Sequence, residues 1–576
     1  MLPAKRALGA GIGLAVALGL MAAAPPSADL IVVNGKVYTA DASHKMVSAL
    51  AVRGNRIVAT GTDKEIEKLQ GAKTRVINAQ GHSVLPGFID SHVHMLAGAE
   101  GLEGPNLSGV RNAAQLQKVV GEFIAAHPEL TWIRGGGFYA DFTRHDLDPM
   151  TGDKPVLLMA GDGHSMLANT KAMKLAGITK DTPSPAGGEI AHDPVTGEPT
   201  GVFLETAQSL VQRALPVQTT ADLERMVREA TDEAHKAGVT TIVNVGHPPE
   251  LAIYDGMRRR GELKLRIHNA LWLTPGSPTE FRPGLGFPDV FTFSEQDADV
   301  FEGIRRTYPD NELMTVNMVK IMMDGVIESH TAAMLKPYAD EPGVGETNYT
   351  PAELNRAISM MDRRGWQIMT HALGDRAVRM ALDGYQVAET ANPAPARGRR
   401  HKIEHMESVD PADIPRFAAL GVIASFQTAH AGGMNDPQHR GQRWRYLGYE
   451  RSAWGFPWKS IKDAGGRLAL GSDWPVVSLN PGYAMSVALN RLENKPIPDQ
   501  KLTLTEILDG YTRDGAYTIF EDKRLGSLEV GKLADVVILA DDIFAKPPSS
   551  GADLVVDQTI FDGQVVYRRD GVADRK

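Results

Sequence analysis

The sequence predicts an α/β protein whose centre is a (β/α)8 barrel of the TIM type, and three observations predict it. Short apolar runs alternate with helical patterns through the middle of the chain, the order that builds parallel βα units. Several of those runs end in histidine, lysine or aspartate, and the carboxyl ends of barrel strands are where such folds place active-site groups. Both ends of the chain read differently, as short strands broken by turn pairs such as Asn34-Gly35, Gly54-Asn55 and Asp562-Gly563.

The predicted barrel strands are residues 84–90, 240–245, 264–273, 317–323, 367–371, 402–405, 422–426 and 467–470. Each is an apolar or β-branched run of strand length. The stretch between the first two is far longer than the about 30 residues of a βα unit. Residues 96–236 therefore form an inserted subdomain, with strand-like pieces at 132–135 and 155–160 and a helical pattern over 221–237. An insertion at the rim of a barrel is a natural substrate lid. The β-rich ends, 29–82 and 521–576, form either one small sandwich or two separate caps around a barrel domain spanning 83–520.

Composition narrows the classes. The chain has 576 residues, 43% hydrophobic and 23% charged, enough for a large core with accessory modules. A net charge of −9 without a long basic run argues against a nucleic-acid partner. Cysteine is absent, which excludes disulfides, thiolate ligands and a cysteine nucleophile. Lys5 and Arg6 precede an apolar run over 7–24 that ends in Ala22-Ala23-Ala24. That pattern reads as a signal peptide, 1–28, for export to a bacterial periplasm, with an uncleaved anchor as the rival reading. No stable membrane association is expected after cleavage.

The chemistry begins at His92 and His94. Alternate residues of a strand share a face, so the two imidazoles project together and open a site for zinc or a similar divalent ion. Around them, Pro86-Gly87-Phe88-Ile89-Asp90-Ser91-His92-Val93-His94 resembles the first metal-binding strand of the amidohydrolase superfamily. Asp162-Gly163-His164 with Asn169, Gly201-Val202-Phe203-Leu204-Glu205, Lys320-Ile321-Met322-Met323-Asp324-Gly325 and Gly471-Ser472-Asp473-Trp474-Pro475 resemble the YtcJ-like, or amidohydrolase 3, branch. That branch includes N-substituted formamide deformylases. The run 526–535 resembles the superfamily's sandwich signature, which favours one sandwich built from both termini.

The resemblance implies a site. His92 and His94 would hold one metal, His371 and His405 a second, and a carbamate on Lys320 would bridge the two. Asp473, after the eighth strand, would bind the first metal and shuttle the proton. His164, Asn169, His430 and Trp474 are candidate substrate contacts, with a helix-cap network inside the insertion as the other reading of His164 and Asn169. The function implied is hydrolysis of a non-peptide C–N amide bond in a small N-formyl or N-acyl amine, by attack of a metal-bound hydroxide. The cofactors would be two divalent ions, zinc by default from the ligand types. The alternatives are a mononuclear deaminase of a heterocycle, a lactone or ester hydrolase, and a non-catalytic binding protein on the same scaffold. A homodimer stands as a candidate assembly.

Overall fold

The computed structural model describes residues 27–161, 163, 165–185, 188–273, 293–435, 440–491, 498–549 and 554–572. The expected signal peptide lies almost wholly outside the described residues, and His164 lies outside them as well. Among the described residues no helix is long and apolar enough to cross a membrane.

Eight apolar runs form one sheet of eight strands. They are β1 (Phe88–Val93), β2 (Val239–Gly246), β3 (Arg266–Trp272), β4 (Met314–Met322), β5 (Gln367–Ala372), β6 (Lys402–His405), β7 (Ile423–Phe426) and β8 (Arg467–Leu470). Neighbours pair in parallel throughout, and nearly every residue in them is buried, as parallel strands covered by helices require. The last strand returns to the first. Asp473 N donates to His92 O at 2.8 Å and His94 N to Trp474 O at 2.8 Å. The approach needs a glycine, because a Cβ on Gly471 would sit 2.6 Å from Asp90 Oδ1 and 2.8 Å from His92 N.

The first predicted strand, 84–90, is corrected to two strands in different layers. Ser83–Pro86 pairs antiparallel with Val536–Leu539 and parallel with Lys36–Tyr38, and only from Phe88 does the chain enter the barrel. Proline removes a ladder donor, and Gly87 threads a gap where a Cβ would lie 2.3 Å from Thr240 Oγ1. The barrel boundary at 83 therefore moves to Phe88.

Two sheets flank the barrel. One has four strands, all from residues 30–78; the other has six, three from each end of the chain. Leu30, Val32, Leu50 and Ile77 of the first share an apolar core with Val37, Val84, Val536 and Ile560 of the second. This unit is tied to the barrel by Arg266 at the start of β3, which is 1% exposed. Its guanidinium meets Asp535 at 2.9 and 3.1 Å and Asp562 at 2.9 Å, and lies over the Phe561 ring. The run 526–535 thus acts as a joint.

A five-stranded sheet spans Ile133–Phe138 to Pro199–Glu205, with its own apolar clusters. The helix Thr220–Lys236 does not belong to it, which corrects the insertion's end at 236. Its buried face, Met226, Val227, Ala230 and Ala234, packs into the main core with Val239 and Tyr254, because a 3.6-residue apolar period must be covered. It is a barrel helix.

Candidate active site

The site sits at the carboxyl ends of the barrel strands, around the carboxylate of Asp473. Asp473 Oδ1 lies 3.1 Å from His92 Nε2 and 3.2 Å from His94 Nε2. These approaches are off the axis of a good hydrogen bond, and the buried Oδ1 has no aligned donor among the described residues. Two imidazole nitrogens converging on an orphaned carboxylate oxygen are what a cation would complete, and this donor set suits zinc. His405, His430 and Asp473 form a second group whose ligand atoms lie within 4.8 Å of one another. Asp473 is common to both.

Backbone conformation aims these groups. His405 has φ +73° and Asp473 φ +62°, left-handed values that turn each side chain from the direction strand alternation would give it. His405 accordingly faces the barrel axis with Glu404, its neighbour. The His405 ring centroid is 5.0 Å from His92, 4.6 Å from His371 and 6.0 Å from His430.

Burial pushes His94, His405 and His430 below the ordinary imidazole value, so they are neutral, the form that ligates metal. Burial would raise Asp473, but the His92 and His94 imidazoles that face it outweigh that and hold the carboxyl well below its usual range. Lys320, 1% exposed, has its Nζ 3.4 Å from His92 Nε2, and burial brings its ammonium down to about 8. A neutral amine is then accessible near physiological pH.

Of the residues implicated by sequence, His92, His94, Lys320, His405, His430 and Asp473 are brought together. His371 stands beside His405 but outside the second group; its Nε2 is 3.5 Å from Gly325 O and 3.8 Å from Asp324 Oδ1. His430, expected as a substrate contact, lies in that second group with His405 and Asp473. Asn169 is corrected to an internal brace: it is 1% exposed, it caps the helix Thr170–Leu175 by accepting from Ala172 N, and it also bonds Val156 N, Thr151 Oγ1 and Lys154 O. No polar atom is left for a ligand. Trp474, 7% exposed, lies with its ring against Gly98, where a Cβ would be 2.2 Å from it.

Sequence reasoning missed Trp272, Lys402 and Glu404. The Trp272 ring, at the end of β3, stacks beside His94 at 6.2 Å and His247 at 6.3 Å and faces Lys320 Nζ at 6.0 Å. Lys402 and Glu404 alternate on one strand, a visible signal that they share the inward face.

Comparison with known proteins agrees with this geometry. The model of the amidohydrolase family matches residues 75–567, and the chain belongs to that family. It is a metal-dependent hydrolase of the amidohydrolase superfamily. It is 32% identical over 547 residues to Protein LONG AFTER FAR-RED 3 of Arabidopsis thaliana, covering 91% of this chain and 90% of that one. YtcJ of Bacillus subtilis is 27% identical, over 93% of this chain and 99% of its own. The N-substituted formamide deformylase of Arthrobacter pascens is 28% identical, over 94% and 99%. In fold, the chain resembles a metal-dependent hydrolase of Pyrococcus furiosus, with a TM-score of 0.67, 24% identity, and 88% and 97% of the two chains covered.

Proposed function

We propose that this chain hydrolyses the C–N bond of a small N-formyl or N-acyl amine, using two divalent ions. The observation that carries the reading is the convergence of His92, His94, His405 and His430 on the single buried carboxylate of Asp473. His92, His94 and Asp473 would hold one ion, and His405, His430 and Asp473 the other, with the His371 ring beside His405. Zinc fits the imidazole and carboxylate donors. Lys320, placed against His92 with its amine lowered, is the side chain that would carry a carbamate between the ions.

Bound metal would supply Lewis acidity, polarising the carbonyl and bringing water within reach of deprotonation near neutral pH. Asp473 accepts the proton as the water oxygen bonds to the carbonyl carbon. It returns that proton to the nitrogen as the C–N bond breaks, releasing a carboxylic acid and an amine. The similarity to an N-substituted formamide deformylase supports formamides as the first substrates to try. A deaminase reading would want an acid close after His371 as proton shuttle. Asp375, the nearest, spends its carboxylate on Leu335 N at 2.7 Å.

The proposal extends to location: residues 1–28 would direct the chain to the periplasm, supported by the charged and apolar pattern at 5–24. The function is tested by amine release from a panel of N-formyl and N-acyl amines with the zinc-loaded protein. Turnover of aminoheterocycles or lactones with none of the amides would overturn it.

A further inference from the structure

Lys402 and Glu404 are fully buried beside the site, each with 0% side-chain exposure. Nothing in the proton transfer proposed above uses them. Lys402 Nζ donates to Ser91 O at 2.6 Å and lies 3.0 Å from Glu404 Oε1. Glu404 Oε2 accepts from Gln427 Nε2 at 3.2 Å and sits 3.2 Å from His92 Nδ1, close to it but off hydrogen-bond alignment. Two ionised groups in a barrel interior cost several kcal/mol of desolvation each, so their retention asks for an explanation. The chain of contacts gives one: it runs from the backbone beside His92, through Lys402 and Glu404, back to the ring nitrogen of His92 that faces away from Asp473.

We propose that Glu404, anchored by Lys402, is the positioning residue that fixes His92 for metal binding. A carboxylate next to Nδ1 favours the tautomer with its proton there, and that leaves the Nε2 lone pair facing Asp473 and the ion. Lys402 holds the carboxylate in place from the far side and balances its charge. Gln427 donates to the same oxygen, Oε2, and helps hold it beside the ring. The inference rests on the metal-dependent reading of the site, and it concerns how the ligand is presented rather than which atoms react.

The test uses a double variant, Lys402→Met with Glu404→Leu, which removes both charges together and leaves no unpaired ion in the core. Cobalt is the probe, with affinity read by competition against a chelator and geometry by the visible absorption of the bound ion. The double variant should melt close to wild type, yet bind the ion at His92 10- to 100-fold more weakly, as loss of such a support does, with an altered spectrum. Glu404→Gln, which keeps the volume, is the second variant should the double one fail to fold, and is expected to lose about 10-fold. Glu404→Asp should recover part of the loss. Cobalt affinity within threefold of wild type and an unchanged spectrum in the folded variant would overturn the inference while leaving the functional reading intact. A wild-type protein that binds no cobalt would instead overturn the functional reading.

Discussion

Replacing Asp473 by Asn separates catalysis from architecture. Its Oδ1 faces two imidazole nitrogens at 3.1 and 3.2 Å, and it is shared by both ligand groups. The nearby Glu404 is already committed to Lys402 and His92, so it does not stand in as the base. Removing a positioned general acid–base costs about 10²- to 10⁴-fold in rate, or about 3 to 5 kcal/mol of activation free energy at 1.36 kcal/mol per decade. Asn is the right replacement because the residue sits at φ +62°, a conformation that Asn adopts readily and Ala does not. The amide oxygen also remains available to an ion. Steady-state amine release, with metal content and melting temperature measured on the same samples, should show kcat/KM falling by at least 10²-fold at unchanged melting. Turnover within tenfold of wild type at full metal content would refute Asp473 as the proton carrier.

Other perturbations test the remaining parts. Lys320→Ala should lose metal from the site and recover part of its activity with a short carboxylic acid; a fully metallated, fully active variant would remove the carbamate from the mechanism. Arg266→Met leaves the buried Asp535 without its partner, and breaking such a pair should cost about 3–5 kcal/mol in denaturant unfolding; a loss below about 1 kcal/mol would show that Arg266 is not the joint between barrel and sandwich. Asp362 receives Arg399 at 2.7 and 3.0 Å, Asn392 at 2.9 Å and His401 at 3.1 Å. Burial would raise its carboxyl, but His401, Arg399 and Asn392 outweigh that and hold it below its ordinary value of 3.8. A depressed carboxylate stabilises the fold above its unfolded pKa and loses that contribution as pH falls through the folded one. Melting from pH 7 to 2.5 should therefore drop below about pH 4 in wild type, and Asp362→Asn should be less stable at pH 7 with a flatter acid limb. Parallel curves would contradict this.

Much of the barrel was legible because parallel strands are buried on both faces and read as continuous apolar runs. Residues 402–405 and 467–470 were predicted with the bounds that the structure has. What failed was local. Residues 84–90 look like one strand in apolar content, and only the Pro86-Gly87 break hints that two sheets share them. The directions of His405 and Asp473 depend on left-handed backbone at each, which no periodicity reports, and His430 comes from a 3-10 turn, Thr428–Asn435, after β7. Asn169 carried two readings from the sequence, substrate contact and helix cap, and the structure has the cap before Thr170-Lys171-Ala172. Lys402 and Glu404 were passed over because two charges on a short strand suggest solvent, whereas here they satisfy one another inside the barrel.

The most direct measurement is the number of metal ions per chain, made by elemental analysis on folded protein dialysed from excess zinc in the presence of bicarbonate. Two ions per chain, with one lost in a His94→Ala variant, is the expected result. Folded protein that retains no ion would contradict the metal-dependent reading of the site.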